Sequence, residues 1–136
     1  MPLIQWTQEF SVGVSSLDEE HKKLIAILNE LGHAIKENNG KDVLGKIIDK
    51  LLAYTATHFK HEEDLFYQTS YPDAAAHRKE HEELTRSVND IQAEFRFGAT
   101  NELASKVLAF VTSWITNHVM ISDKKFTAHL NANGIF

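Results

Sequence analysis

Histidine and glutamate side chains interrupt the apolar stripes of four predicted helices, and this feature constrains the fold more than any other. Apolar residues at spacings of three and four mark the face that each helix would turn toward a core. Six polar residues fall on these stripes, where leucine or isoleucine would be expected. In chain order they are His21, His58, Glu62, His77, His81 and His118.

Short turn sequences separate the four helical stretches. The first begins at SSLDEE, where Ser16 and Glu19 are expected to form a capping box, and it ends at ENNGK. The second runs from about Asp42 to about Tyr67, the third ends near RFGAT, and the fourth starts at about Asn101. Because connections this short favour antiparallel neighbours, we predict an all-α fold, an up-down-up-down four-helix bundle. An N-terminal extended arm precedes the bundle, and a short C-terminal helix follows it.

An antiparallel bundle brings the six polar residues to one end. His21 and His77 lie near the starts of helices one and three, whereas His58 and His118 lie near the ends of helices two and four. A single histidine on an apolar face is more often a hydrogen-bonded core residue. Six such groups without partners would cost about 1–3 kcal/mol each, which is comparable to the stability of a whole domain. The cluster therefore predicts a metal site.

The types of side chain limit the identity of the metal. Imidazole and carboxylate without thiolate suit iron, zinc, copper or manganese, and the chain contains no cysteine. Five histidines exceed what one four-coordinate zinc ion would use, whereas two ions bridged by carboxylates would use them all. Asp123 is the candidate for a second bridging carboxylate. Because it lies five residues after His118, off the face of a regular helix, we predict a π-type bulge or unwinding between them.

This set of residues, together with the arm sequence QWTQEFSVGVSSLDEEH, resembles the hemerythrin family and in particular its bacterial branch, the bacteriohemerythrins. The resemblance runs from Trp6 to the region of Asp123, with every metal-ligand position filled. It implies a single hemerythrin-like domain over residues 1–136. It also implies two non-heme iron ions as cofactors, joined by carboxylates and by an oxo or hydroxo bridge.

The resemblance assigns each ligand to one ion or to both. It implies that His77, His81 and His118 bind one iron, and that His21 and His58 bind the other. By the same resemblance, the carboxylates that bridge the two ions are Glu62 and Asp123.

Reversible binding of O2 is the function that the resemblance implies, at the iron held by only two histidines. It places an apolar oxygen pocket beside that iron, lined by Leu24, Phe59, Trp114, Val119 and Ile121. Leu24 and Trp114 fit equally well as ordinary core residues. The implied roles are oxygen storage, oxygen transport or delivery of O2 to an oxygen-consuming enzyme, and none of these makes the chain itself an enzyme.

Two other classes of function stay open. A di-iron enzyme, such as an oxidase, peroxidase or nitric oxide reductase, would use the same site, and so would an oxygen or redox sensor. Bundle di-iron oxidases carry two Glu-x2-His strings, whereas this chain has one, from Glu30 to His33. His33 lies about 18 Å along the helix from His21, too far to join the cluster. We therefore favour an oxygen carrier.

Size and charge exclude several other partners. A chain of 136 residues fits one domain, and its net charge of −5 argues against nucleic acid and anionic membrane surfaces. The first residues lack the features of a signal peptide, and no apolar run approaches the roughly 20 residues of a membrane span. We expect a cytoplasmic monomer without membrane insertion. We also expect solvent to surround His61, His129 and the acidic run Glu80, Glu82 and Glu83.

Overall fold

The computed structural model describes residues 3–136, which form an antiparallel helical bundle. Its long helices are α1 (Ser15–Lys36), α2 (Gly40–Thr69), α3 (Ala74–Arg96) and α4 (Asn101–Ser113). The fourth helix continues as a π-helical segment (Trp114–Ser122) and a 3-10 turn (Asp123–Phe126), and the short helix α5 (Thr127–Ala132) follows. A 3-10 turn (Gln8–Phe10) lies in the arm, and residues 3–136 contain no strand. The predicted all-α bundle is confirmed.

Helix α1 begins without the side-chain cap that the sequence predicted. The predicted capping box at Ser16 is wrong, because α1 begins at Ser15 after Val14, whose side chain makes no capping hydrogen bond. The carboxylate of Asp18 instead accepts hydrogen bonds from the Val12 amide (2.8 Å) and from Ser11 Oγ (2.6 Å). These bonds tie the arm to the first turn of α1, where a side-chain cap would otherwise satisfy free backbone amides.

One large core fills the middle of the bundle and the end opposite to the starts of α1 and α3. Its members are aliphatic side chains from all four long helices, each contributing about 1.5–3 kcal/mol on burial. Among the most deeply buried are Leu28, Leu31, Leu44, Ile47, Ile48, Leu51, Val88 and Val107. Across the part of the chain that the structure describes, no helix combines the length and apolarity that crossing a bilayer requires.

A second, smaller core joins the arm to the last residues of the chain. We call this the arm–tail contact, made by residues 11–14 of the arm with residues 126–131. The apolar members of this second core, which is wider than the contact itself, are Val12, Val14, Leu17, Phe66, Tyr71, Phe126 and Leu130. Thr127 Oγ1 donates to the Val12 carbonyl (2.6 Å), and Asn131 Nδ2 donates to the Gly13 carbonyl (3.0 Å). Gly13 has φ of +71°, and a Cβ there would lie 2.6 Å from Thr127 Cγ2, so this crossing requires glycine.

Candidate metal centre

The helices deliver the predicted polar residues to one buried layer between the two cores. α1 contributes His21, α2 contributes His58 and Glu62, and α3 contributes His77 and His81. The fourth helix and the turn after it contribute His118 and Asp123. All seven side chains are buried, and the structure therefore brings together the whole set that the sequence singled out.

Asp123 reaches this layer because the helix before it widens. The π-helical segment covers Trp114–Ser122, and the amide of Asp123 donates to the carbonyl of His118, five residues earlier. This bond places His118 and Asp123 one turn apart, with His118 Nε2 3.0 Å from Asp123 Oδ1. The predicted departure from α-helical geometry is confirmed.

Three histidines form the first group of nitrogen atoms, and they surround one oxygen of each carboxylate. His81 Nε2 lies 2.9 Å from Glu62 Oε1. His77 Nε2 lies 3.2 Å from Glu62 Oε1 and 2.9 Å from Asp123 Oδ1. With His118 Nε2 beside the same Asp123 oxygen, the group offers three nitrogen atoms and two oxygen atoms.

Two histidines form the second group around the other oxygen of each carboxylate. His58 Nε2 lies 3.0 Å from Glu62 Oε2, and His21 Nε2 lies 3.0 Å from Asp123 Oδ2. The two Nε2 atoms lie 3.1 Å from each other. Each carboxylate therefore faces both groups, with one oxygen turned toward each.

Several of these atoms are buried without a hydrogen-bond partner, although they lie close together. They are His81 Nε2, His118 Nε2, Glu62 Oε2 and both carboxylate oxygens of Asp123. Polar atoms in a dry interior normally find partners, because leaving them unpaired costs free energy. In each of the two groups, the nitrogen and oxygen atoms lie within 4.8 Å of one another. Nitrogen and oxygen donors in this arrangement fit metal cations.

Outer carboxylates contact the far nitrogen of three of the histidines. Glu20 Oε1 lies 2.6 Å from His58 Nδ1, and Glu63 Oε2 lies 2.8 Å from His81 Nδ1. Glu80 Oε1 lies 3.3 Å from His118 Nδ1. Such contacts fix the ring orientation and leave Nε2 free to face the centre.

The sequence prediction for one outer carboxylate was wrong, and the other two were not predicted. Glu80 was predicted to face solvent, and this is wrong, because it contacts His118 and also accepts a hydrogen bond from Ser122 Oγ (2.6 Å). The sequence prediction omitted Glu20 and Glu63. Each is adjacent in sequence to a predicted ligand, and neighbouring positions on a helix face different directions, so the stripe pattern carried no signal for them.

Two other histidines also have partners. His61 Nδ1 lies 2.7 Å from Glu20 Oε2, and His129 Nε2 lies 2.9 Å from the Thr69 carbonyl oxygen. Both side chains are half-buried rather than fully solvated, contrary to prediction. Neither belongs to the two groups of converging donors.

The carboxylates raise the pKa values of the histidines around them. Burial alone would lower the pKa of His21, but the adjacent carboxylates of Asp123 and Glu62 outweigh burial and raise the pKa to about 10. The same opposition raises the pKa of His58 and of His77 to about 9. Without a metal, protons would therefore hold the histidines and carboxylates together at neutral pH. A cation entering the site would have to displace those protons.

Four of the five predicted pocket residues lie in the buried interior beside this layer. They are Leu24, Phe59, Trp114 and Val119. Phe59 stacks on His81 with ring centroids 3.9 Å apart, and it packs against Trp114 at 5.5 Å. Ile121 is instead 55% exposed, contrary to the prediction that it lines the pocket. In an α-helix it would share the face of His118, but the wider turn of the π-helical segment rotates it outward.

Tyr54 is a buried neighbour of the centre that the sequence prediction missed. Its ring stacks on His58, with centroids 4.8 Å apart and an interplanar angle of 20°. Both Tyr54 and Thr55 are buried on α2, whereas the stripe pattern selected only Thr55. Burial raises the pKa of Tyr54 well above its usual range, and the nearby carboxylates raise it further.

The chain is similar in sequence and in structure to proteins of one family. The family described as Hemerythrin HHE cation binding domain matches residues 12–130. A bacteriohemerythrin of Methylococcus capsulatus is 34% identical, over 97% of this chain and 100% of its own length. One from Stenotrophomonas maltophilia is 30% identical, over 96% of this chain and 86% of its own length. A crystal structure of wild-type hemerythrin, 32% identical, superposes with a TM-score of 0.81 and covers 94% of this chain and 98% of its own.

Proposed function

The chain belongs to the hemerythrin family, and from that premise we propose that it binds dioxygen reversibly at a pair of iron ions. The single observation that carries this proposal is the position of Glu62 and Asp123 between two groups of histidines. Each carboxylate turns one oxygen toward each group, as bridging ligands of two cations would. A site for a single ion has no need for a second set of oxygen atoms.

The two groups would hold the two ions unequally. His77, His81 and His118 would hold one iron, while His21 and His58 would hold the other, with Glu62 and Asp123 shared. A bound pair of irons supplies the electrons that reversible dioxygen binding requires. The group with one histidine fewer is the side on which we place the dioxygen.

The protein's own part in this function is to keep water away from that side. Leu24, Phe59, Trp114 and Val119 are all buried beside the polar layer and carry no group that could deliver a proton readily. Excluding water and protons favours release of the ligand as O2 over loss in a reduced form. We propose storage, transport or delivery of O2 as the role, carried out by a single domain acting as a monomer.

The test is an anaerobic titration. The protein is loaded with ferrous iron, its metal content is measured, and O2 is added and then swept away while absorbance is followed. We expect about two irons per chain and an absorbance change that reverses when the gas is removed. A protein that oxidises irreversibly at each addition and consumes an added reductant catalytically would be an oxidase, and the carrier proposal would fail.

A further inference from the structure

Tyr54 holds a fixed position against the two-histidine group. It lies four residues before His58 on α2, so the two side chains share a face of the helix, and their rings stack. The ring also meets Trp114 edge-on, with centroids 5.8 Å apart and an interplanar angle of 67°. Only 6% of the residue is exposed. The phenol ring is therefore packed against one candidate ligand and against the indole of Trp114.

The hydroxyl of this tyrosine has no partner. Within residues 3–136, the buried Tyr54 hydroxyl makes no hydrogen bond. A buried tyrosine hydroxyl normally finds one, because leaving it unpaired costs about as much as losing a hydrogen bond. Phenylalanine would offer the same ring without this cost. The hydroxyl therefore indicates a partner that the described polypeptide does not supply.

The surroundings of Tyr54 limit what that partner can be. The side chains that share its core cluster near the centre are apolar, among them Leu24, Phe59 and Trp114. The neighbouring hydroxyl, Thr55 Oγ1, already donates to the Leu52 carbonyl at 2.9 Å. Tyr54 is therefore the one free hydroxyl donor that the described residues place against His58, and a phenol remains protonated at neutral pH.

We propose that the Tyr54 hydroxyl donates a hydrogen bond to the small ligand that binds on the His21 and His58 side of the metal centre. The ligand class is a two- or three-atom molecule with an exposed acceptor atom, such as dioxygen or azide. This proposal rests on the proposed function, because it needs a ligand to arrive on that side. It makes Tyr54 a ligand-contacting residue that packs in the same core cluster as Leu24, Phe59 and Trp114.

The experiment compares Tyr54→Phe with wild type and with Tyr71→Phe, a control that removes the hydroxyl of another buried tyrosine, one in the second core. All three proteins are loaded with iron, and metal content is measured first. The oxidised forms are titrated with azide, and the infrared stretch of bound azide is recorded. The reduced forms are exposed to O2, and dissociation of O2 from the resulting oxygenated forms is timed. For Tyr54→Phe we expect unchanged iron content, a shifted azide band, and azide and O2 binding weakened about three- to tenfold. For Tyr71→Phe we expect wild-type values.

A second measurement separates a ligand contact from a structural role. Because the hydroxyl has no partner in the protein, the metal-free Tyr54→Phe variant should melt at the wild-type temperature or above it. A lower melting temperature, or failure to fold, would mean that the hydroxyl has a structural partner and would overturn the proposal. So would azide and O2 binding that match wild type. If loaded wild-type protein binds neither probe, the proposed function fails together with this proposal.

Discussion

The two halves of the bundle bury side chains of opposite character. In the half built around Leu31, Leu44 and Val107, the core consists of aliphatic side chains that gain free energy by leaving water. In the other half, the same four helices bury five histidines and two carboxylates, whose desolvation costs free energy. Both halves use the same helix spacing, so the difference lies in the chemistry of the residues on the stripe.

This difference shows what stabilises each half. The aliphatic half is complete as a folded polypeptide, because its contacts form among its own side chains. The polar half leaves several buried nitrogen and oxygen atoms unpaired. Its stability therefore depends on a bound cation or on protons, and substitutions in the two halves should affect different measurements.

The largest effect is expected from Glu62→Ala. Because Glu62 turns one oxygen toward each group of histidines, its loss would remove an oxygen donor from both groups at once. We expect iron content, measured by elemental analysis, to fall from about two per chain to well below one. The matched control is Glu30→Ala, since Glu30 pairs with Lys46 and Lys50 at the helix surface. Equal iron in both variants would mean that Glu62 is not a ligand.

Metal removal should destabilise the protein strongly and in a pH-dependent way. Binding to the folded state alone is worth several kcal/mol, so the metal-free protein should melt about 10 °C or more below the loaded protein. In the metal-free form, the pKa values of His21, His58 and His77 are raised, so the protonated form of each residue stabilises the fold. This stabilisation is fully present below pH 6.5. That stabilisation is lost as the pH rises through about 9 to 10.

The gap between the two melting temperatures should therefore widen from pH 6 to pH 9. At low pH, protons compete with the metal for the imidazoles; at high pH, only the loaded form has partners for them. Thermal scans of both forms at matched pH values measure this gap. A gap that stays constant across the range would show that the histidines bind no ion.

A substitution in the aliphatic half should behave differently. Leu44 is fully buried, so Leu44→Ala should cost about 2–5 kcal/mol of unfolding free energy. Because Leu44 belongs to the half that needs no ion, we expect equal losses in the metal-free and loaded forms and unchanged iron content. Denaturant unfolding of both forms measures the losses. Lys41→Ala, at an exposed position near the start of α2, is the control. A loss confined to the loaded form would show that the two halves are coupled.

The smallest effect is expected from Glu63→Gln. This change keeps the shape of the side chain but removes the charge that faces His81 Nδ1. Outer partners of this kind typically contribute about tenfold or more to metal affinity. We expect a loss near the lower end of that range, measured by competition with a chelator. The control is Glu82→Gln, at an exposed position on α3. Equal affinity in the two variants would assign Glu63 no part in holding the centre.

The bundle and the convergence of the buried polar side chains could be predicted from the sequence because both follow from helical periodicity. His21, His58, His77 and His118 lie on stripes whose spacing can be counted, and antiparallel packing fixes their common height. The spacing of Asp123 even indicated the local change of helix type. Ile121 was assigned to the pocket by the family resemblance alone, and that resemblance did not specify how the π-helical segment turns this side chain outward.

The remaining features depend on contacts between helices, which periodicity along one helix does not specify. Glu20 lies on α1 but contacts a histidine of α2, and Glu80 lies on α3 but contacts His118 of the π-helical segment. Predicting these pairs requires knowledge of the distance and the relative rotation between two packed helices. Tyr54 was missed for another reason: the buried face of α2 is wider than the single stripe used to read it.

The arm–tail contact has a consequence for the lifetime of a bound ion. Asp123 lies three residues before the tail side of this contact, and the arm leads directly into the helix that carries His21. We expect an ion held by His21 and Asp123 to leave when one of these segments detaches. Its residence time would then be set by the rate of local opening and not by affinity. Release into excess chelator should accordingly become independent of chelator concentration, with the opening of this contact as the slow step.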